Sequence, residues 1–330
     1  MAANRAASSA RAPMSFDFDA AVQAPFRMQP GLRRMADGAR HLTPLPAGSR
    51  HQREKLAVLS AWAPLALAWQ DGFDPVPALH ALAAHAARQH EAAFTWDGAR
   101  ATAPGLGVAL QGTEVEDTAR GAFGLGTEIG RCLRGLAPEW RLAGLLALAF
   151  AEDIAIVDGE RATIPWIAAC LPSHWAPQDK VGRHFSAVHG PVADSAMLQR
   201  AGEHLMRLVC GTERWERFVW NVTRWPRLNA HPRLADDAPW PDDAFADAAS
   251  PRAWFRSERQ TFIALPELTQ AVFTIGVDSV PLARAIDTPD KAARLHAAVA
   301  SMSDAVLAYR SLAAVRPALL AWLAARAEGA

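Results

Sequence analysis

The segment from residue 166 to residue 194 constrains the fold more than any other stretch of the sequence. It opens with a bulky apolar run, WIAACL, which predicts a buried strand at residues 166–171. Pro172 and Ser173 then end the strand. We therefore expect a buried strand that delivers the chain to a short helix.

His189 stands in the second half of this segment. Pro177 suits the first turn of a helix, since it needs no backbone donor there, and residues 178–185 are predicted to form that helix. His189 follows, just before the Gly190-Pro191 turn. A histidine on stiff backbone can ligate a metal or a haem iron through its neutral imidazole. A lone histidine near a turn is more often a structural residue, so the residues alone leave both roles open.

The charge balance of the sequence indicates which partners to expect. Lys+Arg and Asp+Glu number 34 each among 330 residues, of which 51% are hydrophobic, as in an ordinary globular protein. Balanced charge gives no footprint for nucleic acid or for an anionic membrane, both of which need a basic surface. The most apolar runs, residues 58–69 and 142–150, are shorter than the roughly 20 residues that span a bilayer. We therefore predict no nucleic acid and no membrane as partners.

The three cysteines, Cys132, Cys170 and Cys210, lie far apart and form no C-x-x-C pair. The usual ligand spacings of zinc and iron–sulfur sites are therefore absent. Low cysteine use favours a reducing cytoplasm. If the protein uses electrons, we expect the flavin or iron–sulfur carrier on another protein.

Apolar periodicity predicts strands in the middle of the chain and helices at both ends. Helices are expected at residues 51–70, 77–91, 113–136, 195–210, 289–309 and 315–327, and strands at 145–157, 162–171, 218–223, 254–262 and 270–277. Asp97-Gly98 marks a hairpin turn. This order predicts an α+β fold rather than an alternating parallel sheet. Residues 1–15 are predicted to be a disordered tail.

Four stretches, in this order along the chain, resemble one family. They are PFRMQPGLRRM at residues 25–35, FAEDIAIVDG at 150–159, LPSHWAPQDKVG with VHGPV at 171–192, and FRSERQTFIALPELTQAVFTI at 255–275. Each is similar to a motif of the haem-dependent oxidative N-demethylase alpha-subunit family. The resemblance covers about residues 25–282, most of the chain.

The resemblance implies a fold, a cofactor and an activity. It implies a single haem-binding domain over residues 16–330, with a PAS-like antiparallel sheet and flanking N- and C-terminal helices. The implied activity is oxidation of a small amine by O₂ on haem b. Electrons would come from a separate reductase partner that carries FMN and an iron–sulfur cluster.

The resemblance also assigns roles to particular residues. His189 is the predicted iron ligand, and His174 and His184 compete with it. The predicted haem slot comprises Trp166, Ile167, Phe185, Val188, Phe273 and Ile275. Lys180 and Arg259 are the predicted partners of the haem propionates. The residues predicted to hold an ammonium ion and bound oxygen are Glu152, Asp153, Asn221 and Arg224.

Three departures from the family pattern leave other functions open. Ala151 stands where the family has glutamine, and His174 replaces an arginine. Gly276-Val277-Asp278 replaces Arg-Thr-Tyr, and the single tyrosine, Tyr309, is expected far from the site. The alternatives are a haem-based gas or ligand sensor without turnover and a haem-free subunit that binds partner proteins.

Overall fold

A computed structural model describes residues 16–190, 193–194, 196–236 and 238–329, without the side chains of residues 197 and 198. The predicted disordered tail, residues 1–15, and Pro191 of the predicted turn lie outside the described residues. The helices are α1 (Phe18–Ala21), α2 (Arg50–Ala61), α3 (Ala63–Ala66), α4 (Val76–Gln89), α5 (Glu128–Gly135), α6 (Arg141–Ala149), α7 (Phe185–His189), α8 (Ala196–Val209), α9 (Leu282–Ala285), α10 (Pro289–Ala300), α11 (Asp304–Tyr309) and α12 (Arg316–Ala327). The strands are β1 (Arg33–Arg34), β2 (Leu67–Trp69), β3 (Thr95–Trp96), β4 (Arg100–Ala103), β5 (Val108–Gln111), β6 (Glu114–Asp117), β7 (Asp153–Asp158), β8 (Thr163–Ala168), β9 (Trp215–Thr223), β10 (Trp254–Leu265) and β11 (Gln270–Pro281).

The described strands form two antiparallel sheets. The larger has seven strands in the order β1-β9-β10-β11-β7-β8-β2, and the smaller has four in the order β3-β4-β5-β6. Helices precede, interrupt and follow the strands of the larger sheet. The predicted α+β class is therefore confirmed.

Successive residues of a strand point to opposite faces, so the register of the larger sheet defines two surfaces. The front face carries an apolar row and, beside it, a mixed row. The apolar row is Trp215, Phe262, Phe273, Ala155 and Ile167, and the mixed row is Arg217, Gln260, Ile275 and Asp153. Met206, Val209 and Cys210 at the end of α8 pack on the front face near Phe262.

The back face is the more closely packed one. Ile154, Ile156 and Trp166 join the core that α4 and α6 complete. Trp220 and Phe255 pack in a second cluster with apolar residues of α10 and α12. Most of the main apolar core therefore lies behind the sheet, although Ile275 and Val277 of the front face also belong to it.

Two predicted elements differ from the observed ones. Residues 145–157, predicted as strand, instead finish helix α6 and then enter β7. Residues Ala143 to Ala149 are all buried, and a segment buried on every side has no periodicity that separates helix from strand. The helix predicted at residues 178–185 is wrong: a 3₁₀ turn at Pro177–Asp179 is followed by Gly182, with φ +71°, before α7 begins.

Most of the remaining elements agree with the sequence. The Asp97-Gly98 turn joins β3 to β4, and the two strands at residues 254–262 and 270–277 pair over their whole length as β10 and β11. The region predicted as helix at 113–136 begins with β6, and the predicted helix 289–309 divides into α10 and α11. The helix predicted at 51–70 divides into α2 and α3, and the prediction is wrong for residues 67–69, which form strand β2. Among the described residues, no helix has the length and apolar character needed to cross a membrane.

Candidate functional site on the front face

His189 is the last residue of the short helix α7. The imidazole of His184 caps the start of this helix by accepting a hydrogen bond from the Ser186 amide at 3.3 Å. One turn later, the His189 ring stacks on Phe185 with 4.0 Å between ring centroids. The His189 Nδ1–H donates to the Phe185 carbonyl at 2.9 Å. This bond fixes the proton on Nδ1 and leaves the Nε2 lone pair available to a ligand.

Burial lowers the pKa of His189 to about 4, and the positive charges of Arg217 and Lys180 act in the same direction. The hydrogen bond to the Phe185 carbonyl opposes them. The imidazole is therefore neutral at pH 7. A neutral imidazole with a free Nε2 is the form that ligates a metal.

An apolar wall stands beside His189. Phe273 packs against two buried clusters, one that includes Met206 and Phe262 and one that includes Ala155 and Ile167, and Phe185 packs against the first of them as well. Its ring stacks on Phe262 with 4.8 Å between centroids. Of the predicted slot residues, Phe185, Val188, Ile167, Phe273 and Ile275 lie on α7 or on the front face. Trp166 does not, because its fully buried ring stacks on Trp140 in the core behind the sheet.

Two cations lie near His189, and only one of them was predicted. Lys180 donates from Nζ to the Val188 carbonyl at 3.3 Å, and burial lowers its pKa. Arg217 was not predicted. Burial lowers the pKa of Arg217 against the influence of Glu258, and its Nε is shielded from solvent without a hydrogen-bond partner. An unpaired guanidinium nitrogen in this position is available to an anionic group.

Arg259, the other predicted propionate partner, lies on the back face. Its neighbour Gln260 pairs with Arg217 on the front, so Arg259 points the opposite way. Both Nε and Nη2 of Arg259 bond to Glu216, at 3.0 and 2.8 Å. The structure therefore does not bring Arg259 to His189.

A hydrogen-bonded network joins two of the motif stretches across the sequence. The hydroxyl of Ser173 donates to Glu258, and Gln260 donates to the other carboxylate oxygen of Glu258 at 2.6 Å. Arg256 donates from Nε to the Ser173 hydroxyl at 2.7 Å. Burial lowers the pKa of Arg256 to about 10, and Glu258 opposes this shift. The guanidinium is still charged at pH 7, so the network holds a carboxylate close to Arg217.

We did not predict this network from the sequence, although its residues belong to two of the motifs that carry the family resemblance. Ser173 belongs to the LPS motif, and Arg256, Glu258 and Gln260 belong to the RSERQ motif. Their spacing of two places all three on one face of a strand. We predicted Arg259 from the same motif, but Arg259 points to the opposite face of the strand.

The two predicted acids Glu152 and Asp153 are both nearly fully buried. Glu152 accepts from the Thr43 amide at 2.9 Å, and Asp153 accepts from the Leu171 amide at 2.6 Å and pairs with Lys55 at 3.2 Å. Burial raises the pKa of both carboxyl groups, against the charge of Lys55. These contacts tie α2 to the start of β7. A role in binding a substrate remains a prediction for both residues.

The other predicted polar residues lie at the far end of the front face. Asn221 pairs with Arg256 in register and donates to the Arg310 carbonyl at 3.4 Å, while its Oδ1 is buried without a partner. Arg224 is paired with Asp236, on an exposed loop. His174 is exposed, with φ +60°.

Tyr309 is nearer the site than the sequence suggested. Burial raises its pKa and the Glu258 carboxylate acts in the same direction, against the neighbouring Arg310. The tyrosine ring is half exposed. The C-terminal helices therefore bring the single tyrosine within the electrostatic reach of the network.

A family model described as haem-dependent oxidative N-demethylase, alpha subunit-like, matches residues 137–320, more than half of the chain. The chain belongs to this family. The matched stretch contains β7 to β11, His189, Arg217 and the whole Ser173–Glu258 network. A haem-dependent oxidoreductase family implies haem as the cofactor, and an organic substrate and O₂ as reactants.

The front face fits a haem on three observations of this structure. His189 presents a neutral imidazole with its Nε2 free, Phe273 supplies a partly exposed apolar ring, and Arg217 has an unpaired nitrogen. Iron, porphyrin and propionates require these three kinds of group. The family therefore agrees with the chemistry of the residues.

Proposed function

We propose that this chain binds haem b on the front face through His189 and supports the oxidative N-demethylation of a small amine. The observation that carries the proposal is the neutral His189 imidazole, whose Nδ1–H donates to the Phe185 carbonyl so that the Nε2 lone pair is not used in that bond. Electrons would come from a separate reductase partner with FMN and an iron–sulfur cluster, since the three cysteines are buried and free. The PAS-like scaffold and the cytoplasm are part of the same proposal.

The residues on the front face would hold the cofactor in a defined way. His189 would be the axial ligand, and Arg217 and Lys180 would pair with the propionates. Phe273 would exclude water from the bound cofactor. The haem, when bound, would supply the one-electron and O₂ chemistry that side chains cannot provide.

We further propose Glu258 as the carboxylate that binds the ammonium group of the amine. Glu258 lies on the same face as Arg217 and is only 8% exposed, whereas Asp153 is already paired with Lys55. Ser173 and Gln260 fix its orientation. A carboxylate can accept about four hydrogen bonds, so two remain for an alkylammonium ion.

A sensor without turnover is the second candidate function. It is favoured by Val277, which stands at the position of the threonine in the family's Arg-Thr-Tyr. Gly276 lies on the back face, in register with Arg259, and the next residue, Val277, pairs with Glu258 on the front. The front face therefore has an apolar side chain beside the proposed ammonium site. Tyr309 is half exposed, and the Glu258 carboxylate contributes to raising its pKa.

The test is the absorption spectrum of the protein after reconstitution with haem, oxidised and reduced. We expect His189→Ala to lose the axial-imidazole spectrum and to regain it when free imidazole is added. His184→Ala is the matched control, because this imidazole already caps α7. A wild-type spectrum in His189→Ala, or no haem binding by the wild-type protein, would contradict the proposal.

Turnover separates the two functions. With reductant, O₂ and a small alkylamine, the enzyme would release an aldehyde, whereas the sensor would bind O₂, CO or NO and release none. Glu258→Gln should keep the haem spectrum but weaken amine binding by about tenfold, because a charge-assisted hydrogen bond is lost. An unchanged amine affinity would remove Glu258 from this role.

A further inference from the structure

A second cleft lies apart from His189, between residues 38–41, the last turns of α4 and the segment that leads into β9. Its volume is about 530 Å³, within the range of small-molecule sites. Its polar lining includes Arg40, His41, His85, Arg88, Gln89 and Arg214. It touches the front-face site only through Phe262, whose ring stacks on Phe273.

The charged lining of this cleft is mostly positive. Arg40, Arg88 and Arg214 contribute three guanidinium groups. The one acid in the described lining, Glu213, is paired with Arg34 at 2.6 Å. Because Glu213 is already neutralised, the cleft attracts anions rather than cations.

The guanidinium groups keep donors free for a ligand. Arg88 is exposed, and Arg40, also exposed, has one nitrogen 3.1 Å from His90 Nδ1. Arg214 uses one nitrogen to bond the Ala39 carbonyl. A guanidinium has five N–H donors, so each arginine retains several.

Two neutral imidazoles stand behind these arginines. His41 is 4% exposed, and its Nδ1 lies 3.1 Å from His85 Nε2 and 3.2 Å from Gln89 Nε2. With Nδ1 accepting one of these bonds, Nε2 of His41 carries the proton. That Nε2 is shielded from solvent and has no hydrogen-bond partner, although the backbone of Phe262 is close enough to influence it.

We propose that this cleft binds a small phosphate-bearing anion, such as a phosphomonoester or a diphosphate. Arginine binds phosphate with two parallel hydrogen bonds, and three guanidinium groups in the lining of one cleft suit a multiply charged group better than a single carboxylate. The size of the cleft and the even overall charge, 34 basic against 34 acidic residues, favour a small molecule over a polyanion.

The experiment is calorimetric titration of the full-length protein with pyrophosphate, at constant ionic strength with chloride as the competing anion. The double variant Arg40→Gln/Arg88→Gln should weaken the affinity by about tenfold or more, as expected for losing charge-assisted bonds. Arg284→Gln removes an exposed arginine from α9, away from the cleft, and should stay within about twofold of wild type. The haem spectrum should not change when pyrophosphate binds.

Three outcomes would overturn the site. They are a wild-type protein that takes up no pyrophosphate, a double variant with wild-type affinity, and a loss in Arg284→Gln as large as in the double variant. If the double variant is unstable, Arg40→Lys/Arg88→Lys is the alternative, because it keeps the positive charges but removes the guanidinium groups that bind phosphate with two parallel hydrogen bonds. It should still bind several-fold more weakly than wild type, because lysine offers no bidentate contact.

Discussion

Two buried cations beside the same sheet, Lys55 and Arg217, differ in how completely they are bonded. The Nζ of Lys55 lies 3.1 Å from the Phe150 carbonyl, 2.7 Å from the Glu152 carbonyl and 3.2 Å from Asp153. Arg217 has Glu258 nearby, but its Nε has no partner. A buried charge is tolerated when its donors are satisfied, so the first cluster holds the fold together. The second leaves a donor for a ligand.

The comparison extends to the two faces of the sheet. On the back, Arg259 is fully engaged by Glu216 and the Arg40 carbonyl. On the front, the buried Nε of Arg217 has no partner among the described residues, and the bond of the half-buried His189 to Phe185 uses only Nδ1. An unsatisfied buried polar group in a native protein calls for an explanation, and the haem that we propose on the front face would supply one for Arg217.

The largest expected effect comes from breaking the satisfied cluster. Lys55→Met leaves the Asp153 carboxylate buried without its cation and should lower the free energy of unfolding by about 3–5 kcal/mol. Urea unfolding measures this change. Lys55→Met/Asp153→Asn should recover most of it, since the uncompensated charge is gone. A single variant within about 1 kcal/mol of wild type would show that the pair is not structural.

The next effect is on the pH dependence of stability. The pKa of His189 is lowered from 6.5 to about 4, so the unfolded chain binds a proton that the folded chain does not between these values. The contribution of His189 to the free energy of unfolding is therefore complete above pH 6.5. It is lost as the pH falls towards 4, by up to about 1.4 kcal/mol per pH unit. Partial exposure of the ring reduces this figure.

Urea unfolding of the apo-protein at about pH 7 and about pH 5 tests this dependence in wild type and in His189→Gln. The variant should lose less stability over the interval. His41→Gln should behave in the same way, because the pKa of His41 is lowered to about 3 by burial. If wild type and both variants lose the same amount of stability between the two pH values, His189 and His41 are not held neutral in the folded protein.

A smaller effect should separate the two faces. Arg217→Met removes a guanidinium without an Nε partner, so we expect stability within about 1 kcal/mol of wild type. Haem should dissociate about tenfold faster, as one charge-assisted bond is lost. Arg259→Met is the matched control from the back face: it should cost more stability and leave haem dissociation unchanged. Faster haem dissociation in Arg259→Met and a larger loss of stability in Arg217→Met would show that Arg259 binds the cofactor and Arg217 stabilises the fold.

The smallest effect concerns the cap of α7. His184→Ala removes the acceptor for the Ser186 amide and should cost about 0.5–1 kcal/mol. The haem spectrum should remain that of the wild type, because His189 keeps its bond to Phe185. A lost axial ligand in His184→Ala would make His184 the better candidate.

The elements that sequence patterns predicted well are those with clear alternation or turn chemistry. β10 and β11 alternate strongly, and Asp97-Gly98 is a turn signal that needs no tertiary context. Residues Ala143–Ala149 failed because complete burial removes the periodic contrast. The chain leaves the helical conformation before α7 because Gly182 has a positive φ. The sequence did not predict this break, because the residues around Gly182 are compatible with a helix.

By itself, the sequence determined the family, the antiparallel α+β class and the prominence of His189, since motifs and strand alternation are local properties. Only the tertiary structure decided which neighbours meet that histidine. Ser173 and Glu258 are 85 residues apart in sequence, and Glu258 and Arg259 are adjacent yet face opposite sides of the sheet. The alternation of residues along a strand shows that two neighbours face opposite sides of the sheet, but it does not show which side carries the site. That choice is made by where α7 packs, which is a long-range contact.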